Sequence, residues 1–374
     1  MTSWITVKYR VRARPKEVEA IAAALALEQS VEVPLAAVRE PFVRENIVGR
    51  VESIETAGEG RFEVAVRLAA VTFGGDVAQS VNMLFGNSSL HDHVELADVE
   101  PPEGWAARFG GPRFGIEGLR RLVGAPERPL TSAAIKPQGL PVEKLAAICH
   151  AFALGGIDVV KDDHGLADQP YSPFAERVRA CQRAVERARR ETGRRTLYAP
   201  SLVGSPKALA TQARILRDEG VGMALVAPAL VGMPAFHELV ADGIGVPVLA
   251  HPAYSGAARV APPFLLGKLF RMLGADAVIF PHHGGRFAWP KALCGEVARA
   301  SRADWQGLRP VMPVPAGGMS VERVPEMVRF YGPDVMLLIG GSLLVAGDAL
   351  VARTREFVAA VEAAGAPERQ RELA

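Results

Sequence analysis

The chain has 374 residues, of which 43 are lysine or arginine and 41 are aspartate or glutamate. This near balance argues against a broad basic surface for nucleic acid or an anionic membrane, so we expect a small-molecule partner, and the length predicts two domains. The three cysteines are scattered and show no CxxC spacing, which predicts a protein without disulfides. We find no leader-like amino terminus and no apolar run of the roughly 18 residues that span a bilayer, so we expect a cytoplasmic protein.

Residues 1–118 are predicted to form an α+β domain. Residues 4–11 alternate apolar and polar side chains, as a strand with one solvent-facing side does, and residues 15–27 follow as an alanine-rich amphipathic helix. Two strands joined by a glycine-containing turn, a second helix and a last strand come next, at residues 48–56, 62–68, 76–85 and 94–99. The order β-α-β-β-α-β predicts a ferredoxin-like domain.

Residues 119–374 are predicted to form a (β/α)8 barrel, the TIM-barrel fold. Strand-then-helix units follow one another without an obvious break, with strands predicted at 132–136, 157–161, 196–200, 223–227, 246–251, 277–280, 311–315 and 335–339. An open doubly wound sheet is the competing fold, but it usually has fewer such units. The barrel is therefore favoured, and its active site is expected where the strands end.

The clearest candidate site follows the second barrel strand, where the run 157–160, apolar except for Asp158, ends in Lys161, two aspartates and His164. Carboxylates beside a lysine and an imidazole can provide oxygen ligands for a hard divalent cation such as Mg²⁺. Capping of the next helix by the aspartates is the alternative. Polar side chains also follow other predicted strands, namely Lys136, His251, His282, His283 and Arg286.

Two glycine pairs, Gly317 with Gly318 and Gly340 with Gly341, follow the last two predicted strands. Paired glycines at a helix start let backbone N–H groups approach a phosphate, and the last two loops of such barrels often bind one. A tight turn is the alternative for either pair alone. Because both pairs occur in adjacent loops at the expected place, we predict a phosphorylated substrate.

The chain carries four short motifs: Ala-Ile-Lys-Pro at 134–137, Gly-Gly-Ile-Asp-Val-Val-Lys-Asp-Asp at 155–163, Pro-Ala-Gly-Gly at 315–318 and Ile-Gly-Gly at 339–341. In this combination the chain resembles the large subunit of ribulose-bisphosphate carboxylase (RuBisCO) over nearly its whole length. It is too short and too altered for a carbon-fixing enzyme, and is similar to the RuBisCO-like proteins, the non-carboxylating form IV group. The resemblance implies metal-assisted enolate chemistry on a sugar phosphate.

The resemblance also implies a metal site at Lys161, Asp163 and His164. Lys161 matches the lysine that takes up CO₂ as a carbamate and holds Mg²⁺ together with the carboxylate that Asp163 matches. His164 stands where the family has a glutamate. Because imidazole suits Mg²⁺ less well than a carboxylate does, weak Mg²⁺ binding, a preference for Mn²⁺ and the absence of a metal all stay open, as does carbamylation of Lys161.

Lys136 and His251 match the family's proton-moving lysine and its strand-five histidine, so the resemblance implies catalytic roles for both, together with Lys161. Pro252 replaces an arginine that helps the carboxylases to bind the second phosphate of ribulose bisphosphate, and Gln138 replaces a lysine. We therefore expect a substrate with a single phosphate, bound by the two glycine pairs.

The loop after the sixth barrel strand departs from the carboxylases, which carry a mobile lysine there. Arg286 lies near that position and is a candidate substrate ligand. His282 and His283 are candidate substrate ligands or proton carriers, and a plain polar role in a glycine-rich loop is the alternative. With Ala316 in place of a family serine, these changes imply that the chain does not fix CO₂.

Glu28 and Asn87 match a glutamate and an asparagine of the amino-terminal domain that complete the partner subunit's site in the family. The resemblance therefore implies a homodimer or a multiple of it. Neither residue stands out without the resemblance, because an isolated glutamate at a helix end is usually solvated.

Several reactions of the RuBisCO-like group fit this reading. We favour decarboxylation of 3-oxo-isoapionate 4-phosphate, a step of apiose catabolism, because His164 and the basic strand-six loop suit a substrate carboxylate, whereas a methylthio tail wants a more apolar pocket. The alternatives are two enzymes of methionine salvage, methylthioribulose-1-phosphate isomerase and diketo-methylthiopentyl-1-phosphate enolase. A non-catalytic dimer that binds a sugar phosphate is a further alternative.

Overall fold

The computed structural model describes residues 3–366. Residues 1, 2 and 367–374, which the two domain predictions include, lie outside the described residues. The chain divides into two compact units. The first runs up to Phe109 and also includes Tyr254–Leu265, and the second comprises Gly110–Ala253 and the chain from Leu266 onward.

The first unit is built on a four-stranded sheet. Its strands are β1 (Trp4–Arg12), β2 (Arg50–Thr56), β3 (Arg61–Ala69) and β4 (Val94–Glu100), and its helices are α1 (Val18–Glu28), α2 (Pro41–Asn46) and α3 (Val77–Phe85). The strand order is β2-β3-β1-β4, and all its pairings are antiparallel. This is the ferredoxin-like arrangement that the sequence predicts, with α2 as an additional short helix.

Strand β1 shows why the alternating pattern gives this sheet. Ile5, Val7, Tyr9 and Val11 are all buried, whereas the residues between them are not. The Tyr9 hydroxyl donates to the carbonyl oxygen of Leu84 at 2.7 Å, which ties the centre of the sheet to α3. A buried hydroxyl has to find such a partner, because leaving it unpaired costs free energy.

The segment Tyr254–Leu265 adds to the edge of this sheet. Val260 forms a parallel bridge with Leu96 of β4. The backbone N–H of Leu96 donates to the carbonyl oxygen of Arg259 at 3.0 Å, and the backbone N–H of Ala261 donates to the carbonyl oxygen of Leu96 at 2.8 Å. The segment is therefore held in the first unit by backbone hydrogen bonds, a long-range pairing that sequence periodicity does not indicate.

The second unit contains parallel strands in the order in which they occur along the chain. They are β5 (Leu130–Ile135), β6 (Val159–Asp162), β7 (Leu197–Ala199), β8 (Ser201–Leu202), β9 (Ala224–Val226), β10 (Val248–Ala250), β11 (Ala277–Pro281), β12 (Met312–Ala316) and β13 (Met336–Leu338). Only Pro200 separates β7 from β8, because proline cannot donate to the ladder. With these two segments taken as one strand, the described residues contain the eight strands predicted.

These strands pair as β13-β5-β6-β7 and as β8-β9-β10-β11-β12. The two sheets meet where β7 continues into β8, and β12 lies beside β13 at the other seam. This arrangement agrees with the predicted (β/α)8 barrel rather than with an open doubly wound sheet. Apolar strand residues fill its interior, among them Val159, Leu225, Leu249, Ile279, Val314 and Met336.

One helix precedes the first barrel strand, and the others follow the barrel strands. In chain order, the helices are α4 (Gly115–Val123), α5 (Val142–Leu154), α6 (Phe174–Thr192), α7 (Pro206–Asp218), α8 (Pro228–Val231), α9 (Met233–Ala241), α10 (Phe270–Met272), α11 (Lys291–Arg302), α12 (Val324–Tyr331), α13 (Gly341–Leu344) and α14 (Leu350–Gly365). A π-helical segment, Pro263–Leu269, leads into α10. Within residues 3–366 no helix combines the length and the hydropathy that crossing a membrane requires.

Candidate functional site

The ends of β5 and β6 bring Lys136 and Asp163 together. The two strands are parallel neighbours with Ile135 opposite Asp162, so the residues that follow emerge side by side. Lys136 Nζ lies 3.2 Å from Asp163 Oδ2. The two side chains are separated by a whole helix in sequence, yet they form an ion pair at the carboxyl end of the parallel sheet, where active sites of this fold lie.

Of the two neighbouring aspartates, Asp163 is the one whose carboxylate faces Lys136 and His164. His164 Nδ1 lies 2.9 Å from Asp163 Oδ1, an ion-pair distance, yet Oδ1 is buried and has no aligned hydrogen-bond donor among the described residues. Burial alone would raise the pKa of Asp163, but the contact with His164 and the charges of Lys136 and Lys161 outweigh it and hold the pKa well below its usual range. Asp163 is therefore ionised at neutral pH.

Lys161 is buried at the end of β6. Its Nζ donates to the carbonyl oxygen of Asp162 at 2.8 Å. Burial lowers the pKa of Lys161 to about 8, with the charge of Lys136 acting in the same direction and that of Asp163 opposing it. A substantial fraction of Lys161 is consequently a neutral amine in mildly alkaline solution, which is the form that reacts with electrophiles.

Asp162 has a different role from Asp163. Its Oδ1 accepts from the Tyr198 hydroxyl at 2.7 Å, and its Oδ2 accepts from Arg177 Nε at 3.1 Å and from the backbone N–H of Ser201 at 3.0 Å. Asp162 and Arg177 are both fully buried. All three donors come from within the protein, so Asp162 fixes the backbone between Lys161 and Asp163. Neither Arg177 nor Tyr198 was predicted, because nothing in their local sequence marks them.

The aspartates do not cap the following helix, which was the alternative role. Helix α6 begins at Phe174, whose backbone N–H donates to Asp168 Oδ1 at 2.8 Å. Capping of α6 therefore belongs to Asp168.

His251, at the end of β10, stacks on His164. The ring centroids are 4.3 Å apart and the planes differ by 13°. The backbone N–H of Ala253 donates to His251 Nδ1 at 3.1 Å. Burial, with the neighbouring charge of Lys161, lowers the pKa of His251 to about 2. The ring is thus neutral, and because Nδ1 accepts a hydrogen bond, its proton is on Nε2.

The depressed pKa of His251 predicts a pH dependence of stability. The unfolded chain takes up a proton at this histidine below about pH 6.5, whereas the folded chain does so only near a pKa of about 2. This difference lowers the free energy of unfolding as the pH falls through that window, and has no effect above it. In urea titrations between about pH 7 and pH 4, His251→Asn is expected to show a shallower decline than the wild type. The surface variant His91→Asn is the control, and parallel declines in all three proteins would contradict the prediction.

The loops after β11 and β12 are in direct backbone contact. Arg286 N–H donates to the carbonyl oxygen of Gly317 at 3.1 Å. Gly317 and Gly318 have φ values of +92° and +85°, which other residues rarely adopt. Ser342, in the helix α13 that begins at Gly341, donates from its Oγ to the carbonyl oxygen of Met319 at 2.9 Å. The structure thus brings the predicted phosphate-binding glycines of both loops into one region, beside Arg286.

His282 and His283 are the first two residues of the loop after β11, and both are buried. His282 Nδ1 lies 2.9 Å from the Tyr331 hydroxyl, and the His283 ring packs against Phe330 with centroids 5.1 Å apart. Burial lowers the pKa of His282 to about 4 and also lowers the pKa of His283. Both rings are therefore neutral at pH 7. Their packing on α12 gives them a structural role here, and a direct role with a substrate stays a prediction.

Glu28 and Asn87 lie together in the first unit. Asn87 Nδ2 donates to Glu28 Oε1 at 2.9 Å and to Glu32 Oε1 at 3.1 Å. Glu32 has φ +55°, an unusual conformation for glutamate. Sequence reasoning did not select Glu32. The role of Glu28 and Asn87 at a partner's site stays a prediction.

The unmodified side chains do not by themselves make a metal site. Within residues 3–366 no group of three or more His, Cys, Asp or Glu residues is placed to hold a metal ion. Asp163 Oδ1 could serve as an oxygen ligand of a metal ion because it accepts no hydrogen bond from the described residues, but Lys136 and Lys161 place positive charge beside it. A carbamate on Lys161 would replace one of those positive charges with an anionic oxygen donor, and with it the set suits a divalent cation.

Comparison with known proteins agrees with this geometry. The family model of the ribulose bisphosphate carboxylase large chain, catalytic domain, matches residues 115–284. Ribulose bisphosphate carboxylase-like protein 1 of Rhodopseudomonas palustris is 53% identical, over 98% of this chain and 99% of its own length. The chain belongs to the RuBisCO large-chain family. The predicted resemblance to the RuBisCO-like proteins of this family is thereby confirmed.

Two further matches cover almost the whole chain. A protein of Rhodospirillum rubrum named 5-methylthioribulose-1-phosphate isomerase is 50% identical, over 97% of this chain and 98% of its own length. The crystal structure of a RuBisCO-like protein from Rhodopseudomonas palustris superposes with a TM-score of 0.92 and 47% identity, covering 98% of this chain and all of that one. These matches confirm the predicted RuBisCO fold and the prediction of an enzyme.

Proposed function

We propose that this RuBisCO-like protein is a sugar-phosphate isomerase that acts on 5-methylthioribulose 1-phosphate. The observation that carries the proposal is the cluster at the ends of β5, β6 and β10, in which Lys136 Nζ is 3.2 Å from Asp163 Oδ2 and His251 is neutral. Such a group of residues suits proton transfer at a carbon next to a carbonyl. The Rhodospirillum rubrum relative supports the choice of substrate.

The decarboxylase favoured from the sequence loses part of its support. It depended on His164 and on the basic strand-six loop, with its two histidines and Arg286, as the groups that suit a substrate carboxylate. His282 is fully buried with Nδ1 beside Tyr331, and His283 is nearly so. Of the three basic residues of that loop, only Arg286 is exposed. Decarboxylation and the enolase reaction are retained as competing outcomes of the experiment below.

The proposed reaction uses the site in three steps. The glycine turns and Arg286 bind the phosphate and fix the sugar chain. Once the Lys136 ammonium group has given one proton to solvent, its Nζ amine removes a proton from the carbon beside the ketone and returns it to the neighbouring carbon of the ene-diolate. His251 Nε2–H donates to a substrate oxygen while that oxygen carries negative charge, and as a neutral donor it keeps its own proton.

Mg²⁺ is part of the proposal through Lys161. The neutral amine of Lys161 forms an N–C bond with CO₂ and releases one proton, which gives a carbamate. That carbamate, Asp163 and His164 would hold the ion, and bound Mg²⁺ would polarise the ketone and stabilise negative charge on the ene-diolate. The pKa of about 8 supports this step, because only the neutral amine reacts.

The proposal extends to a homodimer in which Glu28 and Asn87 complete the partner's site. Their mutual hydrogen bond fixes both side chains in the first unit. Sedimentation of the purified protein as a dimer or a multiple of it is expected, and a monomer that turns over at full rate would contradict this part.

The test is NMR of the purified protein with 5-methylthioribulose 1-phosphate in D₂O. The protein is first incubated with bicarbonate and Mg²⁺, or with EDTA as the control. We expect conversion to an isomer with deuterium at the carbon that receives the proton, and much slower conversion after EDTA. Parallel samples receive 3-oxo-isoapionate 4-phosphate and the diketo-methylthiopentyl phosphate. CO₂ release from the first, or enolisation of the second, without isomerisation of the pentulose would overturn the proposal.

A further inference from the structure

The strand-six loop, residues 282–287, is held against the glycine turn after β12 by its backbone. His282 N–H donates to the carbonyl oxygen of Ala316 at 2.8 Å, and Arg286 N–H donates to that of Gly317 at 3.1 Å. A Cβ atom on Gly285 would lie 2.0 Å from the Gly317 carbonyl oxygen. The two loops thus touch so closely that only glycine fits at position 285.

Arg323 secures the outer part of the same loop. Its Nη1 donates to the carbonyl oxygens of His283 at 3.3 Å and Gly284 at 3.4 Å. Its Nη2 also contacts Glu326, with 3.1 Å to Oε2. Arg323 lies immediately before α12, on the segment that carries the glycine turn. One guanidinium thereby joins both loops, and Glu326 orients it.

The carboxyl-terminal end of α12 packs against the strand-six loop. Tyr331 contacts the His282 ring, and Phe330 contacts the His283 ring. The strand-six loop is consequently attached at several points to the turn after β12 and to α12. A loop with this many hydrogen bonds to its neighbours is expected to open rarely.

We propose that Arg323 is a positioning residue that keeps the strand-six loop closed before substrate arrives, so that Arg286 is presented to a phosphate monoester. The Arg286 backbone is fixed by Gly317, and its Cγ lies 3.2 Å from where a Cβ on Gly318 would be. The exposed guanidinium therefore extends from beside the glycine turn. This inference rests on the phosphate site of the proposed function, and it makes the loop a preformed wall of that site.

Trypsin tests the closed loop without any substrate, because Arg286 is a cleavage point that backbone hydrogen bonding protects. In Arg323→Ala, cleavage after Arg286 is expected to be about tenfold faster than in the wild type, since hydrogen bonds of a charged donor are lost. Arg353→Ala is the matched control, because Arg353 pairs with Glu322 and Glu356 and no contact with the loop is seen among the described residues. Arg323→Lys is expected to restore part of the protection. Equal cleavage rates in wild type and Arg323→Ala would overturn the proposal.

Equilibrium dialysis with inorganic phosphate tests the consequence for binding. Arg323→Ala and Arg286→Gln are each expected to bind phosphate about tenfold more weakly than the wild type, and Arg353→Ala is expected to bind it equally well. The milder variant Glu326→Gln is expected to weaken phosphate binding in the same direction, with an unchanged melting temperature. With active enzyme, Arg323→Ala raises KM more than it lowers kcat. Phosphate binding by Arg323→Ala at wild-type strength would overturn the proposal.

These two measurements are independent of the organic substrate. Failure of the isomerase assay with protection and phosphate binding as expected would refute the proposed reaction alone. The reverse result would refute the role of Arg323 alone.

Discussion

Lys136→Met is expected to lower turnover by about 10²–10⁴-fold while leaving the affinity for inorganic phosphate unchanged. Lys136 Nζ lies 3.2 Å from Asp163 Oδ2 at the end of β5, and its side chain is one-third exposed. Methionine has a similar length and volume but can neither accept nor return a proton. The change therefore removes the proposed acid/base group and leaves the glycine turns of the phosphate site in place.

Steady-state rates and phosphate dialysis check this prediction. Lys144→Met is the control, because Lys144 is an exposed lysine on α5, the helix that follows the same strand. We expect it to retain wild-type rates. Turnover of Lys136→Met within a few-fold of the wild type would remove Lys136 from the role proposed, and would direct attention to the amine of Lys161 as the proton carrier.

Arg177→Met is expected to lower the free energy of unfolding by about 3–5 kcal/mol. Arg177 and Asp162 form an ion pair in which both side chains are fully buried. Removing the arginine leaves the Asp162 carboxylate buried with only the Tyr198 hydroxyl and one backbone N–H as donors. A buried charge without its counter-ion is costly, because the protein interior solvates it poorly.

Urea unfolding followed by circular dichroism measures this effect. Arg179→Met is the control on the same helix, since Arg179 is half exposed and pairs with Glu219 at the surface. An exposed ion pair contributes little, so we expect a change below about 1 kcal/mol for the control. Equal losses for the two variants would show that Arg177 contributes no more than a surface arginine.

The predictions from sequence succeeded where local pattern carries the information. The alternation in β1 predicts a strand with one buried side, and the run before Lys161, which is apolar except for Asp158, predicts a strand buried on both sides. Polar residues that follow such strands were correctly expected to meet, as Lys136 and Asp163 do. That expectation needs only strand direction and order, which the repeated strand-helix units provide.

The predictions missed contacts that depend on register and packing. Asp162 and Asp163 are identical neighbours in the sequence, yet one is enclosed by Arg177 and Tyr198 and the other faces Lys136. The burial of His282 depends on Tyr331, a residue on the next strand-helix unit.

The sequence by itself determined that this protein has a ferredoxin-like domain and a RuBisCO-type barrel, with charged and glycine-rich segments at the strand ends. Those features follow from periodicity and from motifs that are local in the chain. Only the tertiary structure decided which of these groups are available for chemistry. Alternate residues of a strand point in opposite directions, and what each then meets is set by neighbours distant in sequence, so burial and pairing are settled only when the strands assemble.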